Sequence, residues 1–341
     1  MGAVSDLGLI WASLVLCGGM IAVAGTLLTR YADVIADKTG CSGAWIGLVL
    51  LATVTSLPEL TTGISSVTLA GAPDVAVGNV LGACVLNLSY LAVLDLLKRD
   101  EPLFQRAGLE HVGLAAFGIV MLGLAGLGLA IVQFPLAQAL GHVGWYTPAL
   151  LLLYLLAVRS TFAHERARLA VEAGRTVSRY PDMSLRQAAL RCLAAAAVVV
   201  AAGIWLPFIA TELATSMQWS RSFVGTLLVA FVTSMPELVV TLSALRLGAI
   251  DMAVANLLGS NLFNVAILAI DDIFYARDPI LAAVSPIHLV SVMSAAAMSG
   301  VVVIALHTRP AGRVLRLASW SGLALAGAYL FNAYVLFRHG A

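Results

Sequence analysis

Charge is scarce in this chain, and so are lysine and the residues that bind soft metals. Only 11% of its 341 residues are charged, against roughly a quarter in a soluble domain, so there is too little polar surface to cover a water-soluble body of this size. Lysine occurs only as Lys38 and Lys98, both at segment ends, which leaves no buried amine for a Schiff base. Cys17, Cys41, Cys84 and Cys192 are scattered without CxxC spacing, so neither a disulfide framework nor a zinc site is read from them. His164-Glu165 opens like a metalloprotease motif but lacks the second histidine four residues on. With no nucleophile–base pair in view, an enzyme is not expected. The net charge of +1 argues by itself neither for nor against nucleic acid, and no nucleic-acid partner is expected.

What the chain has in abundance is apolar sequence, 61% of the total. About 20 apolar residues cross ~30 Å of hydrocarbon as a helix. Ten such runs are predicted, at 7–28, 43–68, 73–97, 108–132, 145–161, 190–210, 222–246, 250–274, 283–306 and 316–337. The first lacks the basic flank of a signal peptide, carrying Asp6 instead, and is taken as a retained helix. Charge tests the count. With the first terminus outside, the inward segments 29–42, 98–107, 159–191, 246–249 and 307–316 hold all of the 19 Lys and Arg residues except Arg221, Arg277 and Arg338. That bias places both termini outside, in a multi-pass protein of the inner membrane in contact with lipid.

The second half repeats the first. GLVLLATVTSLPEL at Gly47 returns as GTLLVAFVTSMPEL at Gly225, so that Thr55 meets Thr233, Pro58 meets Pro236 and Glu59 meets Glu237. After a gap of one residue, Asp74 meets Asp251, Asn79 meets Asn256, Asn87 meets Asn264 and Asp95 meets Asp272. The expected architecture is an all-α membrane protein whose ten helices form two five-helix repeats. Residues 1–161 hold the motif 47–95, and residues 190–341 hold the motif 225–272. A polar cytoplasmic linker, 162–189, joins them. Five is odd, so the two units sit upside-down to each other, an inverted repeat with its site near the midplane.

Acids inside a membrane helix are costly and are functional candidates by default. Glu59 and Glu237 lie deep in the second and seventh runs. Pro58 and Pro236 each withhold an N–H from the preceding turn, which frees the carbonyls of Val54 and Val232 for other partners. Thr55 and Glu59 stand four apart, as do Thr233 and Glu237, so each pair shares a helix face. On the following helices, Gly78 and Gly82, and likewise Ala255 and Gly259, permit close backbone approach. Beyond them Asn87 and Asn264 offer amide oxygens and Ser260 a hydroxyl, while Cys84 reads as packing. Every candidate ligand is an oxygen and no histidine adjoins the motif. Hard cations suit such a set, and zinc or copper do not. Two facing carboxylates can be balanced by one divalent ion, or by sodium ions or protons, but not by both at once. That competition is a basis for exchange.

Thr55-Ser56-Leu57-Pro58-Glu59-Leu60, Thr233-Ser234-Met235-Pro236-Glu237-Leu238, Gly78-Asn79 and Gly259-Ser260-Asn261-Leu262-Phe263-Asn264 resemble the two α-repeats of the calcium/cation antiporter superfamily, most nearly its prokaryotic sodium/calcium exchangers. The resemblance implies that Glu59 and Glu237 are calcium ligands and that Thr55 and Thr233 add oxygens to calcium and sodium sites. It also implies sodium contacts from the carbonyls of Ala52 and Ala230 and the hydroxyls of Ser56, Ser234 and Ser260, and a pair of helices, the first and sixth, that slides past the rest. Some positions depart from the family pattern. Val54 and Val232 stand where glycine is usual, Ala83-Cys84 where serine–asparagine is usual, and Asn264 where an aspartate is common. The core then holds two acids, without the extra glutamate of many proton-coupled members.

The reading is an antiporter exchanging calcium for sodium by alternating access, with proton-coupled divalent exchange as the alternative and a cation channel as a distant one. The ions are substrates, no cofactor is expected, and one chain suffices for transport because the repeat builds its site internally.

Overall fold

Backbone polar groups placed in hydrocarbon must pair within their own segment, and a helix does this by itself. The computed structural model describes residues 2–39, 52–98, 101–131, 139–172, 180, 182–310, 312–314 and 318–339, and these are nearly all helical. We name the helices α1 (Gly2–Lys38), α2 (Leu57–Thr68, after a helical turn at 52–55), α3 (Pro73–Leu97), α4 (His111–Ile131) and α5 (Tyr146–Glu172). The second half supplies α6 (Leu185–Met217), α7 (Arg221–Thr233 continued by Met235–Arg246), α8 (Ile250–Phe274), α9 (His288–Thr308) and α10 (Trp320–His339). A two-stranded antiparallel ribbon, Ala139–Leu140 with Val143–Gly144, precedes α5.

Among the described residues, seven helices are long and apolar enough to cross a membrane, and eight when the bent α7 counts as one span. Of the other expected runs, 43–68 lies partly outside the described residues, as does the start of its motif at Gly47. Tyr146–Thr161 is apolar but shorter than a full span.

Several helices outrun the apolar windows that announced them. α1 has 37 residues, or ~55 Å at 1.5 Å per residue, where the sequence suggested 7–28. Residues 29–38 carry four charged side chains, but none is Gly or Pro, so the helix continues past the first apolar run. α6 starts at Leu185 rather than near 190 because Ser184 and Gln187 form a reciprocal capping box, at 3.2 and 3.3 Å. α5 runs on to Glu172, so part of the expected linker 162–189 is helix.

Burial separates the helices into core and wrapping. Most side chains of α3 and α8 are buried. α1, α5, α6 and α10 instead leave rows of large apolar residues exposed, among them Leu9, Val15, Leu155, Leu193, Phe208 and Phe331. In a bilayer those rows face lipid.

The packing comes in matched sets. α2 lies on α6 as α7 lies on α1; α3 meets α9 and α10 as α8 meets α4 and α5; and α3 meets α8 itself. α1 and α6 run along each other. The turns entering α3 and α8 also match. Each needs a left-handed residue, supplied by Gly71 (φ 58°) and Gly248 (φ 74°), 177 positions apart.

Asp95 and Asp272, paired by the repeat, are clamps for the connections at the far ends of these helices. Asp95 accepts from the backbone N–H groups of Leu103 (2.9 Å) and Ser319 (2.7 Å). Asp272 accepts from Ile280 N (2.6 Å), Gly144 N (2.8 Å), Tyr146 Oη (2.8 Å) and Thr147 Oγ1 (2.5 Å).

Candidate ion-binding site

Proline decides where the two central helices break. In the first half the helical turn 52–55 ends at Ser56 (φ −88°, ψ 14°) and the helix resumes at Leu57. In the second, Thr233 ends one segment, Ser234 takes φ −85°, ψ 12°, and the axis turns by 47° into Met235–Arg246. Pro58 and Pro236 then sit in the first turn of the resumed helix, where the missing N–H costs nothing. The break therefore puts Glu59 and Glu237 in that same first turn, at the positive end of a helix dipole.

Both glutamates are fully buried, and each is held by the other half's serine. Ser234 Oγ donates to Glu59 Oε1 at 2.8 Å, and Ser56 Oγ donates to Glu237 Oε1 at 3.0 Å. The second oxygen of each carboxylate, Oε2, is buried with no hydrogen-bond partner among the described residues. Nor is any lysine or arginine buried among them. Two acids so placed have no protein charge to balance them, and an unbalanced buried charge costs several kcal/mol.

The remaining oxygens gather around this pair. Thr55 Oγ1 lies 3.4 Å from Ser260 Oγ and donates to the Ala52 carbonyl at 3.1 Å. Thr233 Oγ1 donates to Asn79 Oδ1 at 2.9 Å and lies 3.2 Å from the Ala230 carbonyl. Asn79 Nδ2 in turn donates to the Glu59 carbonyl at 3.2 Å. Asn87 gives its N–H to Asn261 Oδ1 at 3.1 Å and keeps Oδ1 bare, while neither amide atom of Asn264 has a partner among the described residues. All eleven positions read from the sequence as ligands are buried. The structure joins Ser56 to Glu237, Ser234 to Glu59 and Thr55 to Ser260 across the two halves. The Ala52 and Ala230 carbonyls already accept from the backbone N–H groups of Ser56 (3.1 Å) and Ser234 (2.9 Å).

Glycine lets the surrounding helices close in. A Cβ at Gly82 would fall on the carbonyl of Thr226, and one at Gly78 would lie 3.0 Å from the Thr226 nitrogen. Cys84, read as packing, does more. Its thiol lies 3.7 Å from the Asn261 carbonyl, and Asn261 Nδ2 donates to the Cys84 carbonyl at 3.1 Å. Positions 84 and 261 are equivalent under the repeat, so the two halves meet there on themselves.

Sequence reading missed Asn79 and Asn261 as site residues, although the repeat register had already placed Asn79 opposite Asn256. It also passed over a buried acid beyond the centre. Asp271, near the end of α8, is fully buried, and neither of its oxygens has a hydrogen-bond partner among the described residues.

Known proteins resemble this chain over most of their length. The sodium/calcium exchanger MaX1 of Methanosarcina acetivorans is 29% identical over 273 residues, 72% of this chain and 77% of that protein. The inner membrane protein YrbG of Escherichia coli is 26% identical over 292 residues, 75% of this chain and 82% of that one. Among solved structures, native YfkE shares the fold with a TM-score of 0.67 at 18% identity, covering 98% of this chain and 96% of that one. The sodium-calcium exchanger NCX_Mj does so with a TM-score of 0.58 at 20% identity, covering 95% and 98%. The family model described as sodium/calcium exchanger protein matches residues 9–162 and 188–338, and with that match across both halves the chain belongs to this family of cation antiporters.

Proposed function

We propose that this protein exchanges calcium for sodium across the membrane, as ten helices in two inverted five-helix repeats that give access to one central site from alternate sides. The observation that carries this is the reciprocal pair Ser56–Glu237 and Ser234–Glu59, with one bare oxygen left on each buried acid. Two carboxylates of joint charge −2, ringed by hydroxyl and amide oxygens, match a hard divalent cation. The same charge can be matched by two monovalent ions, and exclusion of one set by the other makes the exchange obligatory. The matched helix contacts and the family match in two segments support the repeat. The basic residues of the intervening segments support termini outside. The ions are the cargo, and the chain needs no cofactor.

Coupling to protons is the second reading. It is favoured by Asn264, an amide where an acid would hold a further sodium ion, and by the extra buried acid Asp271. The test is uptake of radioactive calcium into proteoliposomes under separately imposed sodium and proton gradients. Uptake driven by the outward sodium gradient supports the first reading, and uptake driven by the proton gradient alone supports the second. Uptake that needs no counter-ion at all would mean a channel.

A further inference from the structure

We propose that Asp271 is a third acidic station on the ion path, protonated when the path is unloaded and deprotonated when a divalent cation occupies the central pair. This rests on the antiport reading of that pair.

The seam between α2 and α8 carries the argument. The two helices run parallel there: Thr55 meets Ser260 at 3.4 Å, and further along both chains Gly63 meets Asp271. That second contact is so close that a Cβ on Gly63 would overlap both carboxylate oxygens. Gly63 stands four residues after Glu59, one turn on the same face, and Asp271 stands seven after Asn264, two turns on the same face. Asp271 thus continues the line of the site toward the C-terminal ends of both helices, and the absence of a side chain at Gly63 gives it room.

Its neighbour shows what a structural acid looks like in this place. Asp272 accepts four hydrogen bonds, from the ribbon, from Tyr146 and Thr147 on α5, and from Ile280. Asp271, equally buried, accepts none from the described residues. The repeat sharpens the contrast. Asp272 corresponds to Asp95, another clamp, whereas Asp271 corresponds to Leu94. The extra acid exists in one half only and serves no shared structural role.

A carboxylate without donors in such surroundings is costly, and a proton on it, or a cation nearby in place of other negative charge, lowers that cost. The titratable groups on the packed elements do not cancel it. At this end α3 brings Asp74, held by His288, and α5 brings Tyr146, which donates to Asp272. α2 brings Glu59, α7 brings Glu237 from the centre, and α4 brings His111, held by Asp251 at the other end of α8. With the central pair empty, its negative charge adds to the demand for a proton at Asp271. A divalent ion on the pair cancels that negative charge, which removes the repulsion and favours release of the proton.

The experiment counts protons. Calcium is added to weakly buffered, detergent-solubilised protein, and the protons released per calcium bound are read with a pH-indicating dye. The count should fall by about one in Asp271→Asn, and an equal count in the wild type and the variant overturns the proposal. If Asp271→Asn does not fold, the wild type decides through an apolar carbodiimide, which labels protonated carboxyls in membranes, located by peptide mass spectrometry. Label at Asp271 that calcium suppresses supports the station; no label there, or label that calcium leaves unchanged, overturns it. Should wild-type protein neither bind nor move calcium, the antiport reading is what fails. Label at Asp271 that rises as pH falls would then still support the proton site, and its absence at every pH would remove it.

Discussion

His288, the first residue of α9, holds Asp74 at the start of α3 with Nε2 3.1 Å from Oδ1. His111, the first residue of α4, makes the same contact at the same distance with Asp251 on α8. Both partners are displaced by 177 positions, and each contact joins one half of the chain to the other. A protein built of two copies of one unit repeats its fastenings, and these two pin the entrances of the two most buried helices.

The fastenings are not equal, which gives a first prediction. Asp74 also accepts from Ser222 Oγ (3.1 Å) and Ser285 N (2.8 Å), and its side chain is 25% exposed against 50% for Asp251. His288→Ala leaves the more buried partner short of a donor, a loss of about 1–3 kcal/mol. His111→Ala removes a wetter contact worth roughly 1 kcal/mol or less. The apparent melting temperature in detergent should therefore fall further for His288→Ala. Equal shifts would contradict the ranking.

A second prediction concerns the central acids. Glu59→Gln and Glu237→Gln should each abolish divalent transport while the protein still folds, because one acid leaves −1 against a 2+ ion. Removing one member of a buried charge pair costs about 3–5 kcal/mol, which corresponds to at least roughly 100-fold in affinity. Calcium binding by calorimetry together with vesicle uptake checks this. Wild-type uptake in either variant would remove Glu59 and Glu237 from the site.

How much of this was legible in the sequence differs from residue to residue. Glu59 and Glu237 stood out because an acid and a proline in a long apolar run break two rules of membrane helices at once, and do so twice. Their crossed serine contacts follow from topology, which the repeat register implied. The true ends of α1 and α6 were not legible, because apolarity ends where the hydrocarbon ends while helix hydrogen bonding continues until something stops it. Asp271 was passed over because it reads as half of an Asp-Asp pair near the end of a span, where acids are usually cheap. Only packing shows that one of the two is clamped and the other bare. The histidine fastenings were missed for a related reason: His111 and His288 lie outside the repeated blocks.

Close packing of α3 on α7 gives a third prediction. Gly82→Ala should disrupt folding, since its Cβ would overlap the Thr226 carbonyl on a neighbouring backbone that cannot turn aside. Gly123→Ala, with nothing within 4 Å, should behave as wild type. Monodispersity and thermal stability after extraction compare the two. A stable Gly82→Ala protein would show that the α3–α7 contact is looser than described.

A fourth prediction is topological. With termini outside, a cysteine placed at Asp182 in a chain freed of its four native cysteines should react with a membrane-impermeant maleimide only from the cytoplasmic side. Reaction at intact cells from the outside would reverse the orientation of both halves.

The last prediction concerns Asn264. At the centre only Glu59 and Glu237 carry charge, and Asn264, buried with both amide atoms unpartnered among the described residues, adds none. Two sodium ions or two protons per calcium balance a charge of −2. Three sodium ions would leave a buried +1, which the surroundings of Asn264 have nothing to offset. Asp271, two turns along α8, lies outside that balance, provided its proton returns to the side from which it came. Wild-type exchange should therefore run close to electroneutral. Asn264→Asp adds a third charge to the centre, at a side chain with no hydrogen-bond partner among the described residues. The variant should admit a further monovalent ion and become sensitive to membrane potential or to pH. Calcium uptake into proteoliposomes clamped at several potentials with valinomycin and potassium measures both. The expected result is a nearly flat response in the wild type and a sloped one in Asn264→Asp. A steep response in the wild type means that net charge crosses with each cycle, and the two-acid balance then fails.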